Sequence, residues 1–218
     1  MRKYFDILKT TRLFSDIESG ELETMLKCLG AEIKAVDRDE ILLLAGDKPR
    51  HIGILLTGRL NILWEDYDGN RSLMAAVTSG GIFAEALCCA GVTESPVTVL
   101  AEAYSTVMLL GFSRILHTCP SSCSYHIKLI ENMLSILADK NLRMQSRMEI
   151  VGLKSLRAKV LRYLKSFGYE RGQNIVIPFN REELADFLCV DRSALSHELA
   201  RMKKDGLIDY KKNNFVIF

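Results

Sequence analysis

The chain has 218 residues, 48% apolar, 26% charged and 8% aromatic, enough apolar matter for one core and for a second, smaller one. This composition excludes a disordered chain, a collagen-like repeat and a miniature disulfide scaffold. The longest uncharged apolar runs, such as Val107 to Phe112, fall far short of the ~18 residues of a spanning helix, and Asp6 interrupts the apolar start. The expectation is a cytoplasmic protein with no signal peptide and no membrane partner.

The net charge of +2 is unevenly distributed. From Leu153 onward 13 Lys and Arg face 8 Asp and Glu, a net of +5, while the remainder carries 16 against 19, a net of −3. Such asymmetry suits a C-terminal part that meets a polyanion and an N-terminal part with another task, although a basic face can also be plain solvated surface. Six cysteines at uneven spacings in a chain without a secretion signal point to reduced thiols rather than disulfides.

In chain order, Leu22, Met25, Leu26 and Leu29 have helical spacing, so Leu13 to Leu29 reads as one or two short helices stopped by Gly30. From Ala31 to Leu116 the texture becomes short β-rich runs: Ile41 to Leu44, Ile52 to Leu56, Leu60 to Trp64, Ser72 to Val77, Val97 to Ala101 and Thr106 to Phe112. Gly46, Gly58, Gly69 and Gly80 punctuate them at intervals of 12, 11 and 11 residues. Even spacing with turn residues predicts an all-β roll, with Asp68-Gly69 as the best hairpin turn.

Pro120 and a Ser/Cys cluster precede a run from Tyr125 to Val151 that lacks Gly and Pro. Within it Ile127, Ile130, Leu134, Leu137, Asn141, Met144, Met148 and Val151 follow at alternating steps of 3 and 4, the seam of a coiled coil. One Asn among apolar seam positions suits a parallel pair of helices, where two buried amides satisfy each other and fix register. A helix buried inside its own subunit can imitate this pattern. Leu129, Met133 and Ile136 lie off the seam and are placed to pack on the β domain. Gly152 then makes a hinge, and Leu156, Val160, Leu164 and Phe167 form the stripe of a further helix ended by Gly168.

The C-terminal part carries the strongest local pattern. Asn180 with Glu183 fits a capping box opening a two-turn helix with Leu184, Ala185 and Leu188 inward. Cys189-Val190-Asp191 makes a tight connection in which Cys189 reads as a core thiol and Asp191 as the cap of a second helix, Arg192 to Asp205, closed by Gly206. Leu195, Leu199 and Met202 form its inner stripe. That leaves Ser193, Ser196, His197, Ala200 and Lys204 outward, with Arg192 at the exposed tip, a face of small polar and basic groups suited to a major groove. After Ile175 to Ile177, the apolar runs Leu207 to Tyr210 and Phe215 to Phe218 are joined by Lys211-Lys212-Asn213-Asn214. This is a basic wing placed for phosphates.

The order of parts, together with Gly80-Gly81-Ile82-Phe83-Ala84-Glu85 and the stretch from Asn180 to Gly206, resembles the Crp/Fnr family of bacterial transcription regulators over the whole chain. The resemblance implies an α+β fold with three segments. These are an effector-sensing β-roll of the jelly-roll type with its N-terminal helices (1–118), a coiled-coil dimerisation helix with hinge (119–152), and a winged helix-turn-helix (153–218). It implies a homodimer on double-stranded DNA, RNA polymerase as a further partner, a small-molecule effector in the roll, and no enzymatic activity. By position Arg181 matches the family's phosphate contact, and Arg192, Ser193, Ser196 and His197 the base-reading positions. Ser193 and His197 replace the family's frequent Glu and later Arg, so the operator of the best-known members is not to be assumed.

In cyclic-nucleotide-binding relatives a Gly-Glu pair holds the ribose and an Arg-Ser or Arg-Thr pair the phosphate. Here Ala84-Glu85 matches the first, whereas Ser95-Pro96 stands in place of the second. Without the Arg a buried phosphate keeps an uncompensated charge, and Pro96 removes a backbone donor. Met144 and Gln145 likewise replace the Thr and Ser that meet the base. Cyclic AMP is therefore not expected, and Glu85 has the alternative role of capping backbone amides. An iron–sulfur cluster needs about four clustered cysteines. This chain has none before Cys28, and Cys88-Cys89 and Cys119-x-x-x-Cys123 lack a CxxC spacing. His51, His117 and His126 are isolated, so neither haem nor another metal is supported, and the cofactor stays unknown. GxSxG, P-loop and HExxH patterns are absent from the sequence. The competing reading is a cyclic-nucleotide- or metabolite-binding regulatory subunit acting on a protein partner through its basic end.

Overall fold

The structure is a computed structural model in which residues 2–66, 68, 69, 71–116, 124–168 and 172–218 are described. The expected elements at His117, Cys119, Pro120 and Cys123 lie outside these residues. The chain divides into two compact units, 1–138 and 139–218.

The first unit opens with a 3-10 turn (Arg2–Tyr4), α1 (Phe5–Thr10), a second 3-10 turn (Arg12–Phe14) and α2 (Ser19–Cys28), which is stopped as expected by Gly30 with φ +60°. Eight strands follow: β1 (Glu32–Val36), β2 (Ile41–Leu43), β3 (His51–Thr57), β4 (Leu60–Glu65), β5 (Arg71–Val77), β6 (Ile82–Phe83), β7 (Thr98–Ala101) and β8 (Ser105–Gly111). They form two antiparallel four-stranded sheets, β1-β8-β3-β6 and β2-β7-β4-β5. The short helices α3 (Glu85–Cys89) and α4 (Phe112–Leu116) interrupt and follow the strands. All four punctuating glycines have φ between +81° and +95°, the conformation that demanded them.

Strand β3 explains how the roll is filled. Its five central residues are all buried, because Ile52, Ile54 and Leu56 face a core shared with α1, α2 and the start of the long helix, whereas Leu55 faces the second sheet. A strand covered on both sides reads as a continuous apolar run rather than an alternation. Gly53 also points at the second sheet, and a Cβ there would collide with the Phe83 ring, so its lack of a side chain makes room for Phe83.

Helix α5 (Ser124–Val151) runs through the division between the units. Leu129, Met133 and Ile136 are buried against the roll's helices, as their off-seam spacing implied. Asn132 ties α5 to the 3-10 turn by donating from Nδ2 to the carbonyls of Leu13 (3.0 Å) and Ser15 (2.9 Å). Of the seam residues, Ile127, Leu134, Met144 and Met148 are 60–72% exposed and Asn141 is exposed, whereas Ile130, Leu137 and Val151 are half-buried, Leu137 against the core of the first unit.

The second unit continues with α6 (Leu156–Lys165), β9 (Asn174–Val176), α7 (Arg181–Leu188), α8 (Arg192–Lys204), β10 (Ile208–Lys211) and β11 (Asn214–Ile217). Its sheet has the order β10-β11-β9, all antiparallel. Helix α6 is capped by Ser155, whose side chain accepts from the Ala158 amide. It stops two residues before the end of its expected stripe, and Phe167 is 43% exposed and meets Tyr163 edge-on at 5.2 Å.

Candidate nucleic-acid interface and roll cavity

The helix pair forms because its two ends are satisfied locally. At α7 the Asn180 side chain accepts from the amides of Glu182 (2.9 Å) and Glu183 (3.0 Å), and Glu183 Oε2 accepts from the Asn180 amide at 2.7 Å. At the other end Cys189 takes φ +53°, Lys159 Nζ donates to the Leu188 carbonyl, and Arg147 donates to those of Asp186 and Phe187. Two cations thus sit at the negative end of the helix dipole. Two details depart from expectation. Cys189 is exposed rather than a core thiol, because the left-handed backbone at this cap turns its side chain away from Leu184 and Leu188. Asp191 occupies the N-cap of α8 but makes no side-chain cap hydrogen bond.

Leu195, Leu199 and Met202 are fully buried, which fixes the rotation of α8 about its axis. Arg157 locks the helix from outside the core, meeting Glu198 at 2.7 Å and Asp205 at 2.8 Å. The opposite face then presents Arg192, Ser193, Ser196, His197, Ala200 and Lys204, all exposed. The Ser196 hydroxyl donates to the Arg192 carbonyl at 2.9 Å, so at a base edge its oxygen is left to accept.

Lys211 and Lys212 are exposed at the tip of the β10–β11 hairpin, where Lys212 has φ +54°. Arg181 is placed differently from a freely projecting phosphate contact. Its guanidinium lies over the rings of Tyr210 (5.1 Å) and Phe215 (5.5 Å) and donates to the Lys212 carbonyl at 3.1 Å. Desolvation there lowers its pKa. Phe179, Asn180, Arg181, Lys212 and Asn213 line a cleft of about 380 Å³, so the start of α7 and the wing tip form one basic recess. Sequence reasoning placed both residues near DNA but missed that one organises the other, since the two lie 31 positions apart.

In the first unit, the effector candidates Ala84, Glu85, Ser95 and Pro96 have different surroundings. Ala84 has φ +62° and lines a cavity of about 320 Å³ at one end of the roll, and Glu85 is buried beside it at the start of α3. Ser95 is consumed by the fold. Its hydroxyl donates to the Val97 carbonyl (2.7 Å) and accepts from the Val97 amide, while its backbone pairs with Gly46 and Asp47. Pro96 is exposed, and Met144 and Gln145 are exposed on the part of α5 belonging to the second unit. The cavity's charged lining comes from Asp47, Lys48 and Arg50, with His51 beside them, over Leu42, Leu43, Phe83 and Leu109. Burial pushes the Cys88 thiol up to about 11 and raises that of Cys89, so both keep their protons at neutral pH.

A roll with a polar-mouthed cavity joined to a winged helix-turn-helix is the build of a DNA-binding regulator with a sensory domain. Residues 33–119 match the cyclic nucleotide-binding domain family, and residues 158–218 match the Crp-like helix-turn-helix domain family. The chain belongs to the Crp/Fnr family of transcription regulators. Among solved structures, the c-di-GMP responsive global regulator CLP of Xanthomonas campestris is 15% identical, with a TM-score of 0.60 over 92% of this chain and 99% of that one. DNR from Pseudomonas aeruginosa is 16% identical with a TM-score of 0.53 over 100% and 95%. The Thermus thermophilus catabolite activator protein is 16% identical with 0.51 over 95% and 93%. At these identities the likeness is one of fold. No curated protein matches the chain in sequence. Among the described residues, no helix is long and apolar enough to cross a membrane.

Proposed function

We propose that the protein is a homodimeric, sequence-specific DNA-binding regulator whose activity is set by a signal other than cyclic AMP received in the β-roll. The observation that carries this reading is the two-sided chemistry of α8, with Leu195, Leu199 and Met202 fully buried and Arg192, Ser193, Ser196 and His197 exposed on the opposite face. In the proposed dimer, α5 pairs with its copy along the exposed seam. Two copies of α8 then enter successive major grooves about 34–36 Å apart. A signal in the roll shifts the seam helix or the chain at Gly152, and so the spacing of the two recognition helices. The absence of Cyclic AMP chemistry is supported by Ser95, whose polar groups are already used, and by Pro96 at the position of the expected donor.

The test is DNA binding by the full chain as a function of salt. Affinity for any duplex is expected to fall steeply between ~50 and 200 mM salt. Arg192→Ala is expected to cost ~1–3 kcal/mol on the preferred site only and to relax selectivity at one base pair per half-site. Failure to bind random duplex at low salt would move the basic face to a protein partner, the competing role of a regulatory subunit.

A further inference from the structure

His126 and Cys28 lie 98 positions apart in sequence yet meet in the first unit, with Sγ 3.8 Å from Nε2. His126 stands in the first turn of α5 and is fully buried, packed beside the Tyr125 ring at 5.4 Å. Its Nδ1 has no hydrogen-bond partner among the described residues. Cys28 is the last residue of α2, half-buried and not in a disulfide.

With Nδ1 unmatched, the polar contact of the buried imidazole among the described residues is the one that Nε2 makes with Cys28. Here that nitrogen faces the sulfur of Cys28, a half-buried residue. We propose that Cys28 is a modification site, a nucleophilic thiol with His126 as its base, whose reactant is a hydroperoxide. The Cys28 S–H gives its proton to Nε2, and a sulfur lone pair attacks the nearer peroxide oxygen as the O–O bond breaks. The departing hydroxide (alkoxide for an organic peroxide) takes the proton from the imidazolium and leaves as water or alcohol. Sulfur becomes a sulfenic acid, losing the two electrons that reduce the peroxide. The added oxygen must then be housed between the end of α2 and the first turn of α5, next to seam residue Ile127.

The geometry opposes two effects. Half-burial alone slows a thiol, and a positioned base accelerates it, so the sign of the change on folding separates them. Hydrogen peroxide followed by dimedone labelling and peptide mass spectrometry reads each cysteine in the native full chain and in the urea-unfolded chain. Cys28 is expected to react about tenfold faster or more in the folded chain, and faster than the exposed Cys189. His126→Gln is expected to abolish the acceleration while leaving Cys189 unchanged, with circular dichroism certifying the fold. Should that variant not fold, the wild-type comparison still decides. Equal or slower reaction of Cys28 in the folded chain overturns the proposal. So does a metal ion that co-purifies in one-to-one ratio and protects Cys28 until a chelator removes it, which would make the pair metal ligands.

Discussion

Leu134 offers the sharpest test of the pairing on which two-fold DNA recognition depends. It is 62% exposed on α5, in the middle of the seam, whereas Leu142, 65% exposed on the same helix, lies one position beyond seam residue Asn141. In a single subunit the two are equivalent, since neither belongs to a core. In the proposed dimer only Leu134 is covered. Leu134→Ala removes about three carbons from each side of a two-fold interface; at ~0.8 kcal/mol per buried carbon this is roughly 5 kcal/mol per dimer. Because buried area converts incompletely into affinity, a weakening of ~100-fold or more in the dimer dissociation constant is the expected result. Leu142→Ala should change it by less than about threefold, and neither variant should alter the melting of the isolated subunit by more than ~0.5 kcal/mol. Sedimentation equilibrium from nanomolar to micromolar concentration measures both. Equal effects of the two substitutions, or an unaltered dimer in Leu134→Ala, would refute the seam.

Three further outcomes follow from individual contacts. Asn141→Ile should tighten helix association while admitting oligomers other than dimers, seen by native mass spectrometry, because a buried Asn pair fixes register at a cost in stability. Asn180→Ala removes the side-chain oxygen that accepts from two amides at the start of α7 and should destabilise the C-terminal unit by ~1–2 kcal/mol in urea unfolding, with a parallel loss of DNA affinity through the displaced Arg181 recess. Tyr163 carries a buried hydroxyl without a partner among the described residues, and burial pushes its pKa up to about 12. Between the ordinary tyrosine value near 10 and about 12 the unfolded chain loses this proton first, so stability falls as pH rises through that window. Tyr163→Phe should therefore be neutral or mildly stabilising at pH 7 and should unfold less readily than the wild type at pH 11.

The parts legible in sequence were those whose signals are local. Asn180 and Glu183 close a ring within four residues, and the inner stripes of α7 and α8 obey a helical period that the structure repeats residue for residue. The same holds for the four glycines of the roll. Elements held by distant partners were not legible. Strand β1 has the pattern Glu-Ile-Lys-Ala-Val with only Val36 buried, an edge strand specified by pairing with β8 some seventy positions away rather than by its own residues. β6 has two residues and α3 five, too few for any period to show. Likewise, Cys28 and His126 looked isolated because nothing in the local pattern of either segment anticipates α2 ending against the first turn of α5.

Ser95, at the position where the family resemblance expects a phosphate-binding Arg, is held by hydrogen bonds within the fold. A residue that binds a phosphate must keep a donor for it, yet the Ser95 hydroxyl donates to the Val97 carbonyl and its amide to Asp47, which ties the loop before β7 to the turn after β2. That same turn carries Lys48 and Arg50 to the lining of the cavity, next to His51 at the start of β3. Removing the brace by Ser95→Ala should leave the Val97 amide and carbonyl without that partner, and loosen both the loop and the cavity mouth at ~1–2 kcal/mol. Hydrogen exchange at Gly46 and Val97 measures this directly. Unchanged protection at both amides would mean that Ser95 is not what holds the turn.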